Sequence, residues 1–229
     1  MRLKVIIFGA TGMVGEGVLH KSLNHPEVES VLVINRRPCG VTHNKLTEII
    51  HTDFHDFSAI ENQIGGYDAA YFCMGVSSIG MKEETYRKVT YDLTMHVAQA
   101  LKKSNPDMTF TYVSGDGTTG NEDAKSMWVR VKSKTENDLL KLFKNAHMFR
   151  PGYIQPIKGL KNTYKIYKIF APFYPIWNTL FPRYVCTLED LGLSMIHVSR
   201  KTSDIKILEN VDIRNIAALE KEKLAALTR

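Results

Sequence analysis

Leu3-Lys-Val-Ile-Ile-Phe-Gly9-Ala-Thr-Gly12-Met-Val-Gly15-Glu-Gly17 joins an apolar run to a cluster of glycines near the start of the chain. The apolar run from Leu3 to Phe8 reads as a buried strand, the glycines as a turn, and the residues after them as a helix. A tight turn at Gly9 needs backbone angles that glycine adopts freely. The missing Cβ at Gly12 lets the main chain approach a phosphate, and Gly15 lets the helix lie close on the strand. The helix N-terminus adds unpaired N–H groups and the positive end of its dipole, which suits a dinucleotide pyrophosphate. The spacing Gly-x-x-Gly-x-x-Gly is a variant of the dinucleotide-binding fingerprint. Gly9, Thr11, Gly12, Met13, Val14 and Gly15 are therefore candidate cofactor-binding residues.

Working outward, Val31–Asn35, Leu46–His51, Asp68–Cys73, Met108–Ser114 and His147–Arg150 read as further strands. Tyr86, Val89, Leu93, Val97 and Leu101 recur at spacings of three and four, which predicts a helix over about Lys82–Lys103 with these residues inward. A second long helix is expected over about Ala124–Lys144, with Val131, Leu139, Leu142 and Phe143 toward the core. Alternating strands and helices require crossovers, hence an α/β class with a doubly wound parallel sheet, the Rossmann fold. The 229 residues read as a single domain, 1–229, with a small C-terminal cap region mostly within 153–200. Thr187–His197 is expected to be a helix, with Glu189 and Asp190 in its first turn matching the dipole.

A formal charge of +6 and a pI near 9.1 suit an anionic ligand. The basic residues are spread along the chain rather than clustered, which argues against nucleic acid. Three well-separated cysteines, Cys39, Cys73 and Cys186, form neither a disulfide framework nor a zinc motif. They suit a reducing compartment, and with no secretory leader in view the expected location is cytoplasmic.

Arg36-Arg37 follows the second strand, where a dinucleotide's adenosine ribose is met. An acid there favours a free 2′-hydroxyl and arginine favours a 2′-phosphate, so NADP(H) is expected over NAD(H). The other reading of the pair is a solvated basic loop. His51, Asp53 and His55 share one face of an extended segment and could converge on a metal. With no further ligand cluster nearby, the preferred reading has Asp53 and Phe54 lining an adenine pocket and no metal bound. Cys73, Met74 and Gly75 end another strand, where Gly75 would let the backbone pass close to a cofactor or simply form a turn. The aromatic and basic run Tyr164–Phe181 suits either an interfacial helix or a cap lining an apolar substrate cleft. Pro172 and Pro175 and its length exclude a membrane span.

Taken in order, Gly9-x-x-Gly12-x-x-Gly15, Asn35-Arg-Arg37, Asp53-Phe54, Phe72-Cys-Met-Gly75, Tyr112-Val-Ser114, Lys132 and Phe149-Arg-Pro-Gly152 resemble the short-chain dehydrogenase/reductase superfamily. The similarity is to its atypical branch, which includes the human Tat-interacting protein. The resemblance implies that Gly12 and Met13 cradle pyrophosphate, Arg36 and Arg37 hold a 2′-phosphate, and Gly75 borders a ribose. It also implies that Lys132 bonds the nicotinamide ribose, that Ser114 polarises a substrate carbonyl, and that residues from Pro151 onward contact the carboxamide. One departure stands out. The family's Tyr-x-x-x-Lys is here Trp128-Val-Arg-Val-Lys132, and an indole N–H cannot cycle a proton near neutral pH. Tyr153 and Asp116 are the nearest substitutes. Two functions follow: an oxidoreductase acting on a small apolar carbonyl or alcohol, or a silent NADP(H)-binding protein that signals redox state to a protein partner. Sugar-nucleotide epimerisation is disfavoured by the missing tyrosine and the short C-terminal region. The two long helices would also serve a homodimer.

Overall fold

The computed structural model describes residues 2–162, 174–200 and 203–227, and β1 (Leu3–Phe8) lies inside its sheet, third of seven strands. Helix α1 (Met13–Asn24) returns to β2 (Val28–Asn35), and β3 (Leu46–Ile50) adds the outer edge on that side. On the other side lie β4 (Ala69–Phe72), β5 (Thr109–Val113), β6 (Asn145–Arg150) and finally β9 (Ile207–Glu209). All pairs are parallel and the order is β3-β2-β1-β4-β5-β6-β9, so the chain reverses its direction of winding between β1 and β4. Such a switch point opens a crevice at the carboxyl ends of the two strands.

Alternation along the strands fills two cores. Val5, Ile7, Val31, Val33 and Tyr71 face one layer, while Ile6, Phe8, Leu32, Ile34 and Phe72 face the other. The first layer is covered by α1, α6 (Leu188–Arg200) and α7 (Asn210–Leu227), and the second by α3 (Leu93–Ser104) and α4 (Met127–Leu142). The doubly wound sheet read from the sequence is present.

Two local readings change. The expected helix over 82–103 is built from α2 (Glu83–Arg87), a π turn at Lys88–Asp92, and α3. The wide turn rotates the inward stripe, so Thr90 and Thr94 are buried between Tyr86 and Val97. Val89, expected in the core, is 40% exposed instead. The C-terminal third also carries elements too short to show a period: β7 (Tyr153–Gln155) pairs with β8 (Val185–Thr187), and α5 (Tyr174–Leu180) lies between them in the chain. Of the aromatic run, residues 164–173 lie outside the described residues. Among those described, no helix is long and apolar enough to cross a membrane.

The last helix is locked by a buried charge. Glu220 on α7 is fully buried, and its carboxylate meets His197 Nδ1 at 2.7 Å and Arg200 Nη1 at 3.2 Å, both on α6. His25 Nε2, at the end of α1, lies 3.4 Å away. The His25 Nδ1 accepts the Glu27 N–H at 3.3 Å, so the ring proton sits on Nε2, toward Glu220. Burial keeps this imidazole neutral by lowering its pKa, against the pull of Glu220. His25, Glu27 and Glu220 lie within 4.8 Å of one another, but the pairing of Arg200 with both acids and of Lys223 with Glu27 already balances their charge. Removing a buried ion-pair partner leaves the other charge uncompensated at a cost of about 3–5 kcal/mol. Glu220→Ala should therefore lower unfolding free energy by about that amount in chemical denaturation, whereas the exposed Glu222→Ala on the same helix should change it by less than about 0.5 kcal/mol.

Candidate functional site

The turn after β1 is held tight by main-chain contact. Gly9 has φ +83°, and a Cβ there would lie 2.9 Å from the Cys73 carbonyl carbon and the Met74 nitrogen. A Cβ on Gly15 would come within 2.1 Å of the Gly9 oxygen, so α1 can lie this close only with glycine at that place. Gly12, the N-cap of α1, differs from both. Among the described residues, its added Cβ would meet only the Gly9 oxygen at 3.4 Å, no side chain caps the helix, and a Cβ on Gly75 would meet nothing within 4 Å. The helix start is thus an open face with unsatisfied N–H groups and the dipole's positive end, bounded by backbone on both sides.

A cleft of about 250 Å³ opens there. Gly9, Thr11 and Gly12 form its floor, Asn35 and Arg36 come from the end of β2, and Phe54 from the loop after β3. Cys73, Met74 and Gly75 follow β4, and Val89 and Leu93 face them. The π turn that takes Val89 out of the core is what delivers it here. Burial pushes the Cys73 thiol up to about 12, so this cysteine is a neutral wall rather than a nucleophile. Arg36 is exposed, and neither it nor Arg37 has an acidic partner among the described residues. A larger, open depression of about 700 Å³ lies at the opposite, amino ends of the strands. Two of its polar side chains are already engaged: Asp68 accepts the Lys4 N–H at 2.7 Å, and Asn105 bonds Tyr67 and Ile64.

Several sequence-predicted residues stand elsewhere. Met13 is buried in the core beneath the turn and Val14 packs against that core, so only their main chain belongs to the helix start. Arg37 is exposed but is not part of the cleft wall. Asp53 is likewise exposed and outside it, because its Oδ1 turns back to accept the His55 N–H at 2.9 Å. Phe54 lines the cleft and packs edge-on against Phe8 and Phe57. The histidines do not converge with Asp53: His51 Nε2 meets the Asp56 carbonyl at 2.8 Å, and His55 lies edge-on to His96. Pro151 is buried, its carbonyl accepting the Asp116 N–H at 2.9 Å.

Ser114 and Lys132 meet at the end of β5, with neither in the wall of that cleft. Lys132 Nζ donates to the Ser114 carbonyl oxygen. Burial lowers the Lys132 pKa to about 8, and Glu136 one turn further along α4 works against the shift. The Ser114 hydroxyl is turned inward, 2.5 Å from Glu136 Oε1 and 3.2 Å from the Phe149 carbonyl oxygen. Arg150 closes the group, with Nη2 2.5 Å from Glu136 Oε2 and Nη1 3.2 Å from Glu209. Reading residue types missed Glu136 and Arg150. The i,i+4 spacing of Lys132 and Glu136 was the one available signal. Trp128, in the first turn of α4, covers Gly117, where a Cβ would meet its ring at 3.0 Å. Of the substitute proton donors, Tyr153 directs its hydroxyl to Gln155 Oε1 at 3.1 Å with its ring against Trp177, and Asp116 is exposed.

Comparison with known proteins agrees with this architecture. Residues 5–139 match the model of the NAD dependent epimerase/dehydratase family. The chain is 25% identical over 206 residues to "Protein FMP52, mitochondrial" of Debaryomyces hansenii, covering 86% of this chain and 88% of that one. The Saccharomyces cerevisiae protein of the same name is 27% identical over 165 residues, covering 70% and 68%. These names overturn the expected cytoplasmic location, which rested on cysteine usage and on the lack of a secretory leader; both features are equally compatible with other reducing compartments. In fold, the chain is similar to the ADP-L-glycero-D-manno-heptose-6-epimerase of Helicobacter pylori, with TM-score 0.63, 16% identity, and coverage of 97% and 83%. It is similar also to the enzyme WbmF of Bordetella bronchiseptica, solved with NAD+, with TM-score 0.65, 14% identity, and coverage of 96% and 78%. With a glycine turn, an uncapped helix start and a crevice at the switch point of a parallel sheet, and with more than half its length matched, the chain belongs to the NAD-dependent epimerase/dehydratase family.

Proposed function

We propose that this protein is an oxidoreductase that binds NADP(H) in the cleft at the carboxyl ends of β1 and β4. The observation that carries the reading is the uncapped helix start at Gly12 beside Arg36, which has no acidic partner among the described residues, in one cleft. In this reading, the N–H groups opening α1 hold the pyrophosphate, and Arg36 takes the 2′-phosphate with a charge-assisted bond, Arg37 adding field from outside the wall. Phe54 offers the adenine an apolar face. The nicotinamide, when bound, supplies or accepts a hydride. Lys132 stands for orienting its ribose, and the aromatic segment beyond Tyr153 for excluding water from a small apolar carbonyl or alcohol. Relatives named as mitochondrial make that organelle the proposed location.

A second reading is favoured by the commitments of Ser114 and Trp128: NADP(H) is bound without turnover and the protein acts on a partner. A hydroxyl held by Glu136 inside the protein has no free proton to offer a carbonyl, and an indole supplies none. Both readings share the cofactor and differ in proton delivery.

Each charge-assisted bond contributes about 1.5–3 kcal/mol, so NADPH should bind at least about tenfold more tightly than NADH in calorimetric titration. Arg36→Ala should erase most of that difference, and equal affinities in the unaltered protein would sink the cofactor assignment.

Trp128→Tyr separates the two readings. Positioned acid–base catalysis contributes about 10²–10⁴-fold, so native turnover of simple aldehydes and ketones should be barely detectable and should rise in the variant. Brisk native turnover that the tyrosine reduces would show that another group donates the proton and would end the silent reading.

Lys132 should titrate in a side-chain NMR experiment with a midpoint of about 8. An unfolded chain has this lysine near its ordinary 10.5, so between these two values the unfolded state carries the proton that the folded state has lost. Its contribution to stability therefore improves as pH rises through that window. The unfolding free energy of the protein should rise relative to that of Lys132→Met over the same interval.

A further inference from the structure

We propose that Glu48 is a positioning residue that sets cofactor selectivity from behind the cleft; the inference rests on the NADP(H) reading above. Glu48 lies on the edge strand β3, opposite Val33 of β2. A single oxygen, Oε1, accepts the Asn35 side-chain amide at 3.0 Å and the Cys39 main-chain N–H at 2.8 Å. These two donors bracket Arg36 and Arg37. Asn35 is the last residue of β2 and is 3% exposed, so one end of the bracket is rigid. Cys39, half-buried against the α1 side of the sheet, is the other. The three residues between them are exposed.

The consequence is geometric. Joined at both ends to one carboxylate oxygen, the segment has few conformations left, and the one it takes puts Arg36 in the wall of the cleft and leaves Arg37 outside it. Without the bracket, a flexible Arg36 would have to be ordered at the moment of binding, which costs affinity for whatever it contacts. The sign distinguishes positioning from simple charge. A carboxylate acting only through its field would repel a 2′-phosphate, so its removal would strengthen NADPH binding. A carboxylate that accepts a ribose 2′-hydroxyl would matter for NADH. A positioning carboxylate matters for NADPH alone, and an uncharged amide with the same oxygen replaces it.

The test compares Glu48→Ala with Glu48→Gln, each first shown by thermal melting to be folded, with NADPH and NADH as the ligands. Glu48→Ala should weaken NADPH about tenfold, the loss of about 1.4 kcal/mol, and leave NADH within about twofold. Glu48→Gln, whose Oε1 can accept from the same donors, should stay close to the unaltered protein. In ligand-free protein the Cys39 amide should exchange with solvent at least about tenfold faster in Glu48→Ala, and at the original rate in Glu48→Gln. Tighter NADPH binding in both variants, or a loss of NADH equal to that of NADPH, overturns the proposal. So does unchanged Cys39 exchange in Glu48→Ala. A native protein with no preference for NADPH refutes the cofactor assignment by itself, and Cys39 exchange still decides whether Glu48 holds the segment.

Discussion

The close approach of α1 to the end of β1 governs how the sheet, the first helix and the crevice sit together. A Cβ at Gly15 would stand 2.1 Å from the Gly9 oxygen, and one at Gly9 would strike the backbone between Cys73 and Met74. Three chain segments therefore meet with no side chain between them. That contact draws β4 against β1, makes the switch point of the sheet, and leaves the first turn of α1 uncovered at the mouth of the crevice. The helix continues the same economy, for a Cβ on Gly17 would lie 2.2 Å from Leu188, so α6 packs against α1 through a second bare position.

Behind the crevice the protein depends on buried charge. Glu136 links α4 to Arg150 at the end of β6, and Arg150 reaches on to Glu209 of β9. The same carboxylate takes the Ser114 hydroxyl and faces Lys132. Elements that are far apart in the chain are thereby fixed where the sheet's carboxyl ends converge. In this chain the serine is bound into the ion pair and a tryptophan stands ahead of Lys132. Structural use of the serine and the loss of the phenol are consistent with each other, since neither group is then held ready for proton transfer.

The π turn illustrates how local geometry reaches the cleft. A regular helix through 83–104 would have buried Val89, as its spacing suggests. One wide turn puts Thr90 in the core and turns Val89 toward Met74 and Gly75. Spacing alone carries no mark of such a turn, because Thr90 and Val89 are neighbours and either fits a stripe of three and four.

The sequence by itself determined what short-range chemistry controls. The strand, turn and helix of residues 3–24, the parallel α/β alternation and the basic pair at 36–37 are all legible, because each depends on residues within one turn or one strand of each other. Tertiary structure alone decided the remainder. Nothing in Asp53 says that its carboxylate will fold back on His55, nothing in Ser114 that its hydroxyl will face inward, and nothing in Glu48 that it will hold the residues on either side of Arg36. The three-residue strand β9 is too short to show a period, and the placing of the helix after it becomes definite only when Glu220 meets two histidines and an arginine from other helices. The physical reason is the same throughout: a polar side chain takes whichever partner the packed chain brings within about 3 Å, and that partner is set by the approach of distant segments.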